Sequence, residues 1–216
     1  CTYCDNAAFH PSYSTAGKSL HQQLDEGIEF HKVRYRTTEH YLAYFQSFSN
    51  TYAPLEILQD VYSQALDNPL VAGIVVGTRP DCIDEQKLDY FASLARTHYV
   101  ALEYGIESTN DETLKRINRG HDYACAADAV RRTAAVGIPV GAHIILGLPG
   151  EGREVLMQQA ATLSKLPLTT LKLHQLQLIR GTKMAEEYVD NPEEFSLFGV
   201  EDYVETVVDY VERLNP

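Results

Sequence analysis

From residue 40 onward, short runs rich in β-branched and aromatic residues alternate with stretches whose apolar positions recur at helical spacing. That alternation constrains the fold more than any other property of the chain. Strands separated by helices of this length pair in parallel, through crossovers that lay the helices against the sheet. The strand-like runs are HYLAYFQSF (40–48), VAGIVVG (71–77), YVALEYGIES (99–108), IPVGAHIILG (138–147) and TTLKLHQLQLI (169–179). Helical patterns cover 53–68, 84–98, NDETLKRIN and YACAADAVRRTAAVG, 152–166 and the segment from about Val200 to Leu214. Ahead of them, residues 5–16 read as a loop and 18–34 as an amphipathic segment. The expected fold is α/β, a partial (β/α)6 TIM-type barrel of parallel strands, with an open doubly wound sheet as its competitor. No linker, low-complexity stretch or repeat divides residues 1–216, so a single core domain is expected.

Charge narrows the partners. Eighteen Lys and Arg stand against 30 Asp and Glu, a net charge of −12, and a field of that sign repels polyanions. No DNA partner is expected, and contact with RNA would need a local basic patch. No apolar run approaches the roughly 20 residues of a membrane span, so no membrane partner is expected either. The four cysteines, Cys1, Cys4, Cys82 and Cys125, are too few and too irregular for a disulfide framework, which points to a reducing cytoplasm.

In parallel α/β folds, sites collect where strands end and loops begin. The strand endings here are QSFSNT (46–51), GTRPDC (77–82), EYGIES (103–108), GLPGE (147–151) and IRGT (179–182). Any one of them is ordinary turn chemistry, but five together ring one face with polar groups and with glycines that let a ligand approach the backbone. Backbone amides of the SFSNT stretch, placed at a helix start, would suit a carboxylate. His143 interrupts an apolar strand, where a hydrogen-bonded core histidine is the bland alternative to a site residue. Glu103 and Glu107 flank a strand end, and because an unpaired buried carboxylate is costly, they are expected to face a polar cavity. Arg119, in INRGHD, is the candidate cation for a ligand carboxylate; its bland alternative is a solvated helix-end arginine.

Cys1 and Cys4 open the chain as CTYC, a spacing shared by zinc half-sites, redox pairs and iron–sulfur half-sites. No second pair is spaced to complete a zinc site, and a polar loop with Pro11 follows where a redox motif would start a helix. Iron–sulfur ligation remains, and it requires thiolates beyond these two. A further cysteine and a strand are expected upstream of Cys1. Cys82 and Cys125 read as small buried hydrophobes.

CTYCDN, GTRPDC, LEYGIES, NRGHD, GLPGE and LIRGT, in this order and across essentially the whole chain, resemble the radical S-adenosylmethionine (SAM) enzymes. The nearest group is similar to the Elp3-like radical-SAM domain, the catalytic part of Elongator. The resemblance implies a partial TIM barrel and a [4Fe–4S] cluster held by three cysteines, with Cys1 and Cys4 as the second and third thiolates. It also implies reductive cleavage of SAM to a 5′-deoxyadenosyl radical, with an electron donor of the flavodoxin or ferredoxin type. By position, Tyr3 lies near the adenine, and Ser49, Asn50 or Thr51 stands where relatives meet the methionine amine, although the paired glycines of that stretch are missing. The resemblance likewise implies that Glu107 takes a polar strand-end place near SAM, that Arg119 pairs with the methionine carboxylate, and that His143 faces the ribose. Gly77 replaces a glutamate common in relatives. The Elongator kinship favours a tRNA base as substrate, whereas the net charge favours a small molecule or peptide. A non-enzymatic iron–sulfur or zinc binding module would leave the polar ring unexplained.

Overall fold

The computed structural model describes residues 1–214 apart from 6, 7, 9, 10, 12, 16 and 36–38. Part of the expected 5–16 loop therefore lies outside the described residues. A capping box at Ser19 and Gln22 starts α1 (Leu20–Arg34). Five strands follow: β1 (Tyr41–Phe45), β2 (Val71–Thr78), β3 (Tyr99–Glu107), β4 (Val140–Leu146) and β5 (Thr170–Gln175). They pair in that order, every pair parallel, in a curled half-barrel of the expected TIM type. The crossovers run through α2 (Leu55–Leu66), α3 (Glu85–Leu94), α4 (Asp111–Arg116) with α5 (Tyr123–Ala135), and α6 (Arg153–Leu163). Two helices close the chain, α7 (Lys183–Asp190), which the hydrophobic pattern did not announce, and α8 (Val200–Val211).

The period of two along each strand sorts the two faces of the sheet. Ala43, Ile74, Val76, Leu102, Tyr104, Ala142 and Ile144 bury themselves among α2, α3, α5 and α6, against Leu58, Tyr62, Leu88, Phe91, Val130 and Leu156. The opposite face carries Tyr44, Glu103, His143 and Lys172, which hydrogen-bond to one another. A second apolar cluster, containing Leu114, Ile117, Ile145, Leu148, Leu176, Met184 and Phe195, lies at the loop end of the sheet with Tyr3 packed against it. Among the described residues no helix is long and apolar enough to cross a membrane.

Buried polar groups need partners, and several here find them in chains. Asn50 Nδ2 donates to the Phe45 and Gly77 carbonyls at 2.9 and 2.8 Å, tying β1 to β2 where both end. Tyr62, on α2, donates to the Asn50 carbonyl. Across the sheet, Tyr210 of α8 donates to Gln159 of α6 at 2.9 Å, Gln159 donates to Ser108 at 3.4 Å, and Ser108 donates to Glu151. This chain links the last helix to the residue that directly follows β3.

Phe91 is fully buried and packs obliquely on Tyr62 at a centroid distance of 5.5 Å. Phe91→Ala would leave a cavity between α2, α3 and the sheet. The expected cost is about 3–5 kcal/mol, a fall of about 6–20 °C in Tm for a chain of this size, read by circular dichroism during heating.

Candidate active site

The loop carrying CTYC is held from two distant parts of the chain. Thr2 N–H donates to the Ile117 carbonyl at 2.9 Å, and Met184 N–H donates to the Thr2 carbonyl at 3.0 Å. Both thiols, Cys1 and Cys4, stay exposed at the end of the sheet where β3 gives way to its loop. Burial of part of the Cys4 side chain, with Glu107 nearby, raises its thiol above the usual range.

Arg119 is the centre of this end. Only 7% of the residue is exposed, so it is no solvated helix-end cation. Its Nε and Nη2 donate to the Gly105 carbonyl at 3.2 and 2.5 Å, its Nη1 lies 3.4 Å from Cys1 Sγ, and its Nη2 lies 3.3 Å from Glu107 Oε1. Gly105 makes the arrangement possible, because a Cβ there would overlap both the guanidinium and the Glu107 carboxylate. Glu107 sits at a register shift between β3 and β4 with φ +69°, a left-handed conformation that costs a non-glycine residue energy. The bulge turns its carboxylate toward Arg119 and Tyr3. Burial pushes the Glu107 carboxyl up, against the pull of Arg119, and burial together with Glu107 pushes the Tyr3 phenol well up. The structure thus brings Cys1, Cys4, Tyr3, Glu107 and Arg119 together.

The other expected residues have different partners, although His143 lies near enough to act on the Glu107 charge. Thr51 is fully buried, its hydroxyl 2.7 Å from both Thr78 Oγ1 and the Cys82 carbonyl. Asn50 spends its amide on the strand ends, its N–H meets the Gly77 carbonyl at 3.3 Å, and Ser49 hydrogen-bonds Cys82. Helix α2 begins only at Leu55, so this stretch forms a turn rather than a helix N-terminus. Cys82 and Cys125 are partly exposed rather than sealed as small hydrophobes. The Cys125 N–H bonds the Asp122 side chain that caps α5.

His143 is on the inner face, with Nε2 2.8 Å from Glu103 Oε2. The same oxygen accepts from Tyr44 Oη at 2.6 Å and from Lys172 Nζ at 2.7 Å. Burial alone would raise Glu103, but these three donors outweigh it and hold the carboxyl at about 2. Tyr44, Lys172 and His174, whose ring lies 5.2 Å from that of His143, were not singled out from the sequence. The signal was present in LKLHQ, where Lys172 and His174 take one face and Leu171 and Leu173 the other.

A depressed carboxyl contributes stability that is complete above its unfolded value of 4.5 and is lost as pH falls through about 2. Glu103→Gln is therefore expected to cost about 1–3 kcal/mol near neutrality, with the gap to the parent narrowing steadily below about pH 4.5. Urea titrations from about pH 7 to about pH 3 read it.

Residues 1–159 match the family profile described as the Radical SAM superfamily, and residues 168–216 match the Radical_SAM C-terminal domain. Protein YtqA of Bacillus subtilis (strain 168) is 35% identical over 222 residues, covering 100% of this chain and 66% of that protein. Protein YhcC of Escherichia coli (strain K12) is 33% identical over 219 residues, covering 100% of this chain and 68% of its own length. The chain thus spans about two thirds of these relatives. Among solved structures, the archaeal Elp3 of Methanocaldococcus infernus with an N-terminal deletion superposes with a TM-score of 0.72 at 19% identity, over 87% of this chain and 48% of that one. At that identity the likeness is one of fold.

Proposed function

The chain belongs to the radical SAM superfamily, and on that premise we propose that it is an enzyme that binds SAM at the Arg119 end of its sheet and works with a [4Fe–4S] cluster held in part by Cys1 and Cys4. The donor set fits: two exposed, soft thiols stand on a loop that backbone bonds fix beside a buried cation. Cys1 and Cys4 would supply two of the three thiolates, and among the described residues no group of three His, Cys, Asp or Glu gathers to hold a metal ion by itself. Held in part by Cys1 and Cys4, such a cluster would supply the single electron, drawn from a flavodoxin- or ferredoxin-type donor, for reductive cleavage of SAM to methionine and a 5′-deoxyadenosyl radical, which would take a hydrogen atom from the substrate. A cytoplasmic setting agrees with this oxygen-sensitive chemistry.

The single observation that carries the reading is the buried guanidinium of Arg119, adjacent to a thiol and paired with one internal carboxylate. It is already arranged for a second carboxylate, that of the methionine moiety, at the cost of loosening Glu107. Tyr3 offers an aromatic face on the same loop for the adenine. His143, with Nε2 given to Glu103, keeps its other nitrogen for a ribose hydroxyl. Asn50 and Thr51 hold the ends of β1 and β2 in register, and Ser49, Asn50 or Thr51 is kept as the contact to the methionine amine. For the substrate, the net charge of −12 favours a small molecule or peptide; a tRNA base is the alternative that the Elp3 likeness suggests.

The test uses full-length protein reconstituted anaerobically with iron and sulfide. Cys1→Ala and Cys4→Ala are each expected to lose the broad visible absorbance of the cluster. Arg119→Ala should keep it and bind SAM more than tenfold more weakly, a loss of about 1.5–3 kcal/mol read by calorimetry. A stable, complete cluster in the doubly substituted protein would remove the ligand assignment, and unchanged SAM affinity would return Arg119 to a structural role. Reduced enzyme with SAM is expected to release 5′-deoxyadenosine, faster with substrate. Acceleration by bulk tRNA that falls steeply with salt would identify a nucleic-acid substrate, and acceleration by small metabolites alone would exclude one.

A further inference from the structure

The inner face of the sheet is polar in two tiers. The upper one, at the strand ends, comprises Arg119, Glu107, Tyr3 and the thiols. The lower one lies deeper along the strands, where β1, β3, β4 and β5 contribute Tyr44, Glu103, His143, Lys172 and His174. The proposed function draws on the upper tier and touches the lower through His143 alone.

Glu103 organises the lower tier unevenly. All three of its hydrogen bonds, from Tyr44, His143 and Lys172, converge on Oε2. Oε1 accepts none among the described residues, and the side chain keeps 9% of its surface exposed. A carboxylate whose donors among the described residues all gather on one oxygen is an acceptor fixed in advance, and its second oxygen is where a ligand's donor would bind. Lys172 lies over the Tyr44 ring, 4.3 Å from its centroid, and donates to both Glu103 and the Tyr44 hydroxyl; its third N–H remains for an acceptor on the same ligand. An oxyanion placed at Oε1 would meet the Glu103 charge, whereas an ammonium would meet an ionised acceptor and neighbouring aromatic rings. The surplus of 30 acidic over 18 basic residues favours the approach of a cation as well.

We propose that the lower tier is a substrate subsite in which Glu103 Oε1 receives a primary ammonium group of a small substrate. Its meaning as a substrate subsite rests on the proposed function, but the binding measurement needs neither the cluster nor SAM, so the two can fail separately.

The probe is n-butylammonium chloride, titrated at constant ionic strength into the full-length protein while the imidazole proton resonances of His143 and His174 are followed by NMR. n-Butanol and sodium butyrate serve as the neutral and anionic comparisons. The amine is expected to give a saturable shift at both rings, with butanol and butyrate at least tenfold weaker, and Glu103→Gln to weaken the amine at least tenfold. Lys172→Met removes a competing cation but leaves the carboxylate, and is expected to bind the amine several-fold more tightly. Equal affinity in Glu103→Gln, or butyrate binding as well as the amine, would overturn the proposal. Weaker amine binding in Lys172→Met would overturn it even if Glu103→Gln did not fold.

Discussion

A guanidinium almost sealed from solvent cannot be left unpaired, and most of the site follows from how Arg119 is satisfied. It takes the Gly105 carbonyl, the Glu107 carboxylate and the edge of the Cys1 thiol. Each partner imposes a condition of its own. The carbonyl is reachable because Gly105 has no side chain, the carboxylate because a bulge rotates Glu107, and the thiol because Thr2 pins its loop to Ile117. One ion thereby fixes the relation of three segments far apart in sequence.

The same economy runs through the rest of the half-barrel. Parallel strands end together, and their final carbonyls need donors that the sheet no longer provides. Asn50 supplies two of them and Thr51 bridges Thr78 and Cys82, so the loop after β1 holds the rim on which ligands would rest. Below the rim, Glu103 keeps its charge through three donors on three different strands. Polar groups here fasten the concave face as apolar groups fasten the convex one.

The strand and helix alternation was legible because periodicity is local, and each of the five strand-like runs contains a strand of the sheet. Ends were less so: the run at 169–179 pairs as a strand only over Thr170–Gln175, with one further bond from the Leu176 N–H to the Leu146 carbonyl. Glu107 was visible as a charge near a strand end and Arg119 as a cation after a helix, but their pairing depends on a bulge that no local pattern signals. Ser49, Asn50 or Thr51 was read as a contact to the methionine amine from its place in the chain; that Asn50 and Thr51 also hold the strand ends was not legible, because the demand of the neighbouring carbonyls is a tertiary fact. Lys172 was passed over for the opposite reason. A lysine in a strand reads as a solvent-facing position until the curl of the sheet brings it against a glutamate two strands away.

The hydrogen-bonded chain from Tyr210 through Gln159 and Ser108 to Glu151 gives the last helix a stake in the strand end. Ser108 is the neighbour of the strained Glu107, so the backbone that aims the Glu107 carboxylate is braced from the far terminus of the chain. Residues 168–216, which match a family profile of their own, are in this respect a buttress of the core rather than an appendage to it. Sequence drift in α8 is then answerable to the chemistry of the rim, and two regions recognised separately in sequence must evolve as one mechanical unit.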